Sequence, residues 1–257
     1  MARIGPVFVS HGSPMLALTP TPAHRFLRGL GESLPRPRAI LCISAHWETE
    51  TPQLGGVDGP ETIHDFSGFP PELYRLRYAA PGAPDLADEA AGLLGETGMD
   101  ASIDPQRGLD HGAWVPLMLM YPQADIPVTQ LSIQHHRGAA WHFDLGRALA
   151  PLCDDDVLVL GSGSIVHNLR DLRFEGGEPD PWARDFEQYA HQAIVAGDAT
   201  ALSDYRQQAP GARRAHPRDE HLLPLLVPFG AAGGRPGQAL HRSFELGNLG
   251  MGAWGWG

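Results

Sequence analysis

Apolar runs of strand length recur along this chain, and most of them stop at a polar turn. Val7-Phe8-Val9, Ala39-Ile40-Leu41-Cys42-Ile43 and Val157-Leu158-Val159-Leu160-Gly161 are continuous and apolar, and Pro127-Val128-Thr129-Gln130-Leu131-Ser132 reads as a further strand. That is the pattern of strands covered on both faces, as in a parallel sheet. Between them lie segments of helical period. A helix is predicted from Pro20-Thr21-Pro22 through Phe26 and Leu30 with Gly31 as its stop, and another over Pro84 to Leu94. A third starts near Ala113 with Pro116 in its first turn, and others cover Ala139 to Leu152, Pro181 to Val195 and Leu222 to a closing Gly230. Leu73 to Tyr78 and His241 to Leu246 read as further strands and Thr49 to Pro71 as a long loop, while the Gly/Trp tail from Gly250 to Gly257 has no assignment. Strands alternating with helices, without a repeat or linker, predict one α/β domain over residues 1–257.

The turns hold the chemistry. Ser10-His11-Gly12-Ser13-Pro14 and Ser44-Ala45-His46-Trp47 each end a strand, where ligands bind in open α/β sheets. Asp110-His111-Gly112 leads into an apolar helix, Gly161-Ser162-Gly163-Ser164-Ile165-Val166-His167 follows another strand, and Glu220-His221 precedes the Leu222 helix. Any one of these histidines is most simply a hydrogen-bonded turn or cap residue. Five in the same kind of place point to a shared site. Compact signatures are missing: there is no H-E-x-x-H, no paired CxxC, no phosphate-binding P-loop and no G-x-S-x-G elbow. A metal site assembled from distant turns is the chemistry left.

Composition narrows the setting. A chain of 257 residues buries a full core without staples, and Cys42 and Cys153 read as buried thiols. A net charge of −11 argues against nucleic acid or an anionic membrane as partner. No apolar run approaches the roughly 20 residues of a membrane span, so a cytoplasmic location is expected.

These five motifs, in this order and spacing, resemble the class III extradiol ring-cleavage dioxygenases, and within them the single-chain 4,5-DOPA dioxygenase branch. The resemblance runs from about residue 7 to about residue 246. It implies a three-layer α/β/α fold around a central, mostly parallel mixed sheet, and one divalent metal per chain, Fe(II) for catalysis or Zn(II) as isolated. It assigns His11, His46 and His221 as metal ligands, with Glu220 the fallback for the third because distant members use a glutamate there. His167 matches the acid–base residue and His111 a neighbour that contacts substrate or dioxygen. Departures are the Trp254-Gly255-Trp256 tail and serine at 162 and 164 in a loop often richer in glycine or asparagine.

The implied reaction inserts both atoms of dioxygen into a small catechol, DOPA-like, and opens the ring beside the diol. Three protein ligands leave room on iron for both catechol oxygens and dioxygen. His64, Phe66, Phe69 and Tyr78 are candidate substrate contacts, and core packing accounts for them equally well; Arg170, Arg173 and Arg218 are candidates for a substrate carboxylate. Two alternatives stay open: a zinc-dependent hydrolase with Glu48 or Asp65 as base, and a non-catalytic binding module on the same fold. The chain is expected to be a monomer or a small homo-oligomer.

Overall fold

The computed structural model describes residues 4–257; Met1, Ala2 and Arg3, at the start of the predicted domain, lie outside the described residues. The first half runs β1 (Val7–Ser10), α1 (Pro22–Ser33), β2 (Ala39–Glu48), β3 (Gln53–Gly55), α2 (Pro84–Glu96), β4 (Ser102–Asp104), α3 (His111–Met120) and β5 (Val128–Ile133). Next come α4 (Gly138–Ala148), β6 (Val157–Gly163), α5 (Pro181–Ala196) and the short helices α6 (Ala199–Ser203), α7 (Tyr205–Gln208) and α8 (Ala212–Ala215). The chain closes with α9 (Leu223–Ala231), β7 (Gln238–His241), β8 (Phe244–Glu245), β9 (Leu249–Gly250) and β10 (Ala253–Gly255).

The three apolar runs and the strand predicted over residues 127–132 are the centre of an eight-stranded sheet of order β4-β3-β5-β2-β6-β1-β10-β7. Strands β5, β2, β6 and β1 are parallel, whereas β3 runs antiparallel to β5 and β10 antiparallel to β1. The sheet is thus mixed and mostly parallel. Alternation within each strand sorts side chains into two layers. Val7 and Val9, Ile40 and Cys42, and Leu158 and Leu160 face Leu27 and Leu30 of α1 and Val115 and Leu117 of α3. Phe8, Leu41, Ile43, Val157 and Val159 face the other way, onto Leu86, Leu145, Phe186 and Leu226 from α2, α4, α5 and α9.

Several expectations change. Gly31 and Gly230 do not stop helices but lie inside α1 and α9. A Cβ on Gly31 would fall 2.0 Å from the Met120 carbonyl oxygen and one on Gly230 2.0 Å from that of Phe143, so both let neighbouring helices close. The Thr49–Pro71 loop contains β3, and Leu73 to Tyr78 is no strand but a 3₁₀ turn at Leu73–Arg75 followed by irregular chain. Strand β4 was not expected, and β2 continues past Ile43 to Glu48 through an irregular register. The predicted last strand from His241 breaks into β7 and β8. The unassigned tail supplies β10, whose Trp254 packs against Phe8 with the rings tilted and their centroids 6.2 Å apart.

On α4, His142 is fully buried; its Nδ1 donates to the Gly138 carbonyl at 2.7 Å and its Nε2 accepts from the Gln134 amide at 3.2 Å. Burial pushes this histidine down to about 4, so it stays neutral where an unfolded chain's histidine, near 6.5, takes a proton. The native state is therefore favoured above pH 6.5 and loses that advantage as pH falls from there towards 4. Unfolding by denaturant at pH 7 and pH 5 is expected to show about 2 kcal/mol less loss of stability in His142→Gln than in the parent. Equal losses would rule this histidine out as the source.

Candidate metal centre

Strand β6 lies between β1 and β2, so the carboxyl ends of all three open into one crevice. His11 leaves the end of β1, its amide held by the Gly163 carbonyl at 2.9 Å. Gly12 then turns with φ +62°, and a Cβ there would strike Met251. His46 comes from the irregular end of β2 and His111 from the first turn of α3, which Asp110 caps through the Ala113 amide. The approach to α9 brings His221 in because β6 has no side chain in its way. A Cβ on Gly161 would fall 2.1 Å from the Pro224 carbonyl oxygen and one on Gly163 2.1 Å from that of His221.

One ring nitrogen from each of His11, His46 and His221 lies within 4.8 Å of the others. The Nε2 atoms of His11 and His46 are 3.0 Å apart. Two nitrogens each about 2.1 Å from one metal, at a right angle, stand about 3 Å apart, so this donor set fits a single divalent ion. His11 is pushed well below its usual range by burial and by the surrounding imidazoles, His46 first; His221 likewise, by burial and by His167. Burial and His111 take His46 down to about 4 despite nearby carboxylates. Neutral imidazoles offer lone pairs, which is the form a metal needs.

The outer partners set which nitrogen is bare. His221 Nδ1 is 2.8 Å from Glu220 Oε1, and a carboxylate only accepts, so His221 Nε2 is left for a metal. Asp65 lies 2.9 Å from His111 Nδ1, off the line of a well-aligned bond, and accepts from the His111 amide at 3.0 Å. Burial raises the Asp65 carboxyl, but His111 outweighs it and holds it down at about 2. Asp110, fully buried, accepts from Ser44 at 2.6 Å, Arg107 at 2.6 Å and Gln130 at 2.8 Å, which ties α3 to β2 and β5.

Residues 6–256 match the family described as the catalytic LigB subunit of aromatic ring-opening dioxygenase. The chain belongs to this family. It is 44% identical over 252 residues to 4,5-DOPA dioxygenase extradiol of Beta vulgaris, covering 96% of this chain and 94% of the relative. The Escherichia coli K12 protein of the same name is 40% identical over 255 residues, covering 97% and 93%. A crystal structure of an uncharacterized Escherichia coli K12 protein superposes with TM-score 0.86 at 36% identity, covering 99% of this chain and all of that one. This LigB-family chain is an extradiol dioxygenase, acting on a small aromatic substrate with dioxygen, and the family implies a catalytic metal. Among the described residues no helix is long and apolar enough to cross a membrane.

In this dioxygenase the histidine cluster floors a cavity of about 500 Å³. Phe66, Phe69, Leu172, Leu246 and Leu249 wall it, with Leu169 and Phe174 at the mouth, 63% and 83% exposed. His167 lines it too, its ring stacked on His221 with centroids 3.5 Å apart. The expected substrate contacts divide. Phe69 and Phe66 are in the wall, but His64 is not: it packs behind Phe66 against Trp114 and Tyr74. Tyr78 is buried elsewhere, donating to the Tyr121 carbonyl. Arg173 is tied to Asp180 and Arg218 to both oxygens of Glu48, which also removes Glu48 as a hydrolytic base. Sequence reasoning missed Leu169, Leu172, Phe174, Leu246 and Leu249, which come from loops and the β8–β9 hairpin with no periodic signal.

Proposed function

We propose that this chain opens catechols carrying a polar side chain, DOPA-like, at one iron(II) held by His11, His46 and His221, zinc(II) being what the isolated protein retains. The observation that carries the reading is the convergence of three neutral imidazoles at the floor of an apolar-walled cavity, with His167 and His111 beside them. When bound, the metal supplies acidity to a catechol hydroxyl and a path for electrons to dioxygen. His167, half-buried and unprotonated, would take the proton from the catechol hydroxyl and hold it beside the reacting oxygens. His111, held by Asp65, would present its ring to the substrate or to dioxygen. Phe66, Phe69, Leu246 and Leu249 pack the ring and exclude water. We place the whole reaction in one catalytic unit, a monomer or small homo-oligomer in the cytoplasm, with no nucleic-acid or membrane partner.

Arg170 distinguishes substrates. Its guanidinium has no partner among the described residues, and it lines a groove that shares His167, Leu169 and Glu220 with the main cavity. A substrate carboxylate reaching past Leu169 meets it there. Arg170→Ala is expected to raise KM for DOPA or caffeate about 5- to 10-fold, the worth of a partly solvated charge-assisted bond, and to leave 4-methylcatechol unchanged. Equal KM changes on all three would remove Arg170 from recognition. The reaction itself is tested by dioxygen uptake and yellow product from anaerobically iron(II)-loaded protein given DOPA, caffeate and protocatechuate in turn. Neither signal with any catechol would defeat the proposal.

A further inference from the structure

A chain of hydrogen bonds beneath His11 begins at a proline. Pro116 sits inside α3, its nitrogen carries no hydrogen, and so the Gly112 carbonyl four residues back has no α-helical donor. That carbonyl accepts the Ser162 hydroxyl hydrogen instead. Ser162 is fully buried on β6, between β1 and β2. A serine hydroxyl has one hydrogen, and here it is committed. Towards His11 Nδ1, 3.0 Å away, the Ser162 oxygen can only accept. His11 Nδ1 must therefore carry the hydrogen of its neutral ring, which leaves Nε2 bare at the point where it meets His46 Nε2.

We propose that Ser162 and Pro116 are positioning residues for the metal: Pro116 frees the Gly112 carbonyl, that carbonyl orients the Ser162 hydroxyl, and Ser162 fixes His11 as the Nδ1–H tautomer with Nε2 presented to the ion. The other tautomer would turn an N–H into the metal position and set two acceptors against each other at Ser162. Gly112 is held in place independently, because a Cβ there would fall 2.3 Å from Ser44 Oγ and 3.0 Å from His46. One peptide thus packs on His46 and, through Ser162, aims His11. The inference rests on His11 being a ligand.

The test uses zinc(II) alone, with affinity read by chelator competition on the full chain. Ser162→Ala is expected to weaken zinc about 10- to 100-fold, the range for losing an outer partner of a ligating histidine. Pro116→Ala keeps every site residue but restores an N–H that competes for the Gly112 carbonyl, so a smaller loss of the same sign is expected. The decisive readout is their coupling: on a Ser162→Ala background, Pro116→Ala should change zinc affinity no further, whereas two merely structural effects would add. The Nδ1–H resonance of His11, present in the parent, should be lost or shifted in Ser162→Ala. Parent-like zinc affinity in Ser162→Ala, or undiminished additivity, overturns the proposal while His11→Ala still loses metal. If Ser162→Ala does not fold, parent-like affinity in Pro116→Ala overturns it instead. Full zinc retention by His11→Ala would show that the ligand reading itself has failed.

Discussion

Replacing His11 with alanine is expected to abolish metal retention and, with it, dioxygen uptake on any catechol. The ring is the deepest of the cluster, 1% exposed, at the strand end where β1 meets β6, and its Nε2 faces that of His46. Among the described residues two further groups could hold an ion, His46 with Asp65 and His111, and His167 with Glu220 and His221, and neither brings His11, His46 and His221 together. A divalent site holding three histidines loses far more from a missing ligand than from a missing outer partner. A fall of more than about 1,000-fold in affinity is therefore expected, against roughly 10- to 100-fold for Ser162→Ala. Elemental analysis after dialysis reads the result directly. Thermal unfolding gives a second reading, since metal that binds only the native state raises the parent's Tm and should leave that of His11→Ala unmoved. A variant that keeps one equivalent of metal would remove His11 from the ligand set.

How much of this could be read from the chain follows from what each residue's signal depends on. Three of the four central strands were legible because burial on both faces leaves continuous apolar runs, and Val157 to Leu160 needs no partner to be recognised, while β5 carries Thr129, Gln130 and Ser132 among its apolar residues. The two helix-end glycines misled because a glycine that ends a helix and one that admits a neighbouring backbone look alike in sequence. Only the Met120 and Phe143 carbonyls tell them apart. The tail was opaque for a related reason: Trp254 belongs to a strand only because β1 offers it an edge some 245 residues away, with Val9 opposite Ala253. At the site, the five histidines stood out by repeated placement at element ends, and the structure gathers all five. Their partners did not stand out. Ser162 was visible only as a polar residue in a glycine-rich turn, and its meaning lies in Pro116, 46 positions earlier, through a carbonyl that no residue-type pattern records. The walls were the least legible part, because Leu172 and Leu246 reach the cavity from irregular chain and Leu249 from a two-residue strand, where no period marks an inward face.

The second large effect is expected at His167, and it has the opposite signature: His167→Gln should keep the metal and lose turnover. Its ring lies flat on His221 rather than pointing at the space between His11 and His46, and its Nδ1 is 3.9 Å from Glu220 Oε1, too far for a hydrogen bond. His167 is thus fixed by stacking and by its amide bond to the Ala215 carbonyl, and its ring nitrogens have no hydrogen bond among the described residues. Burial takes it down to about 4, against the pull of Glu220, so the resting form can accept a proton. Glutamine keeps polarity and approximate size but cannot carry a proton between two oxygens. Loss of a well-placed acid–base group costs about 10²- to 10⁴-fold, so kcat should fall by that factor while metal content and catechol affinity stay near the parent's. Measuring all three on one preparation separates the roles. If metal content falls together with kcat, His167 belongs with His221 in the metal shell, and Glu220, the carboxylate beside it, becomes the group to test as the proton carrier.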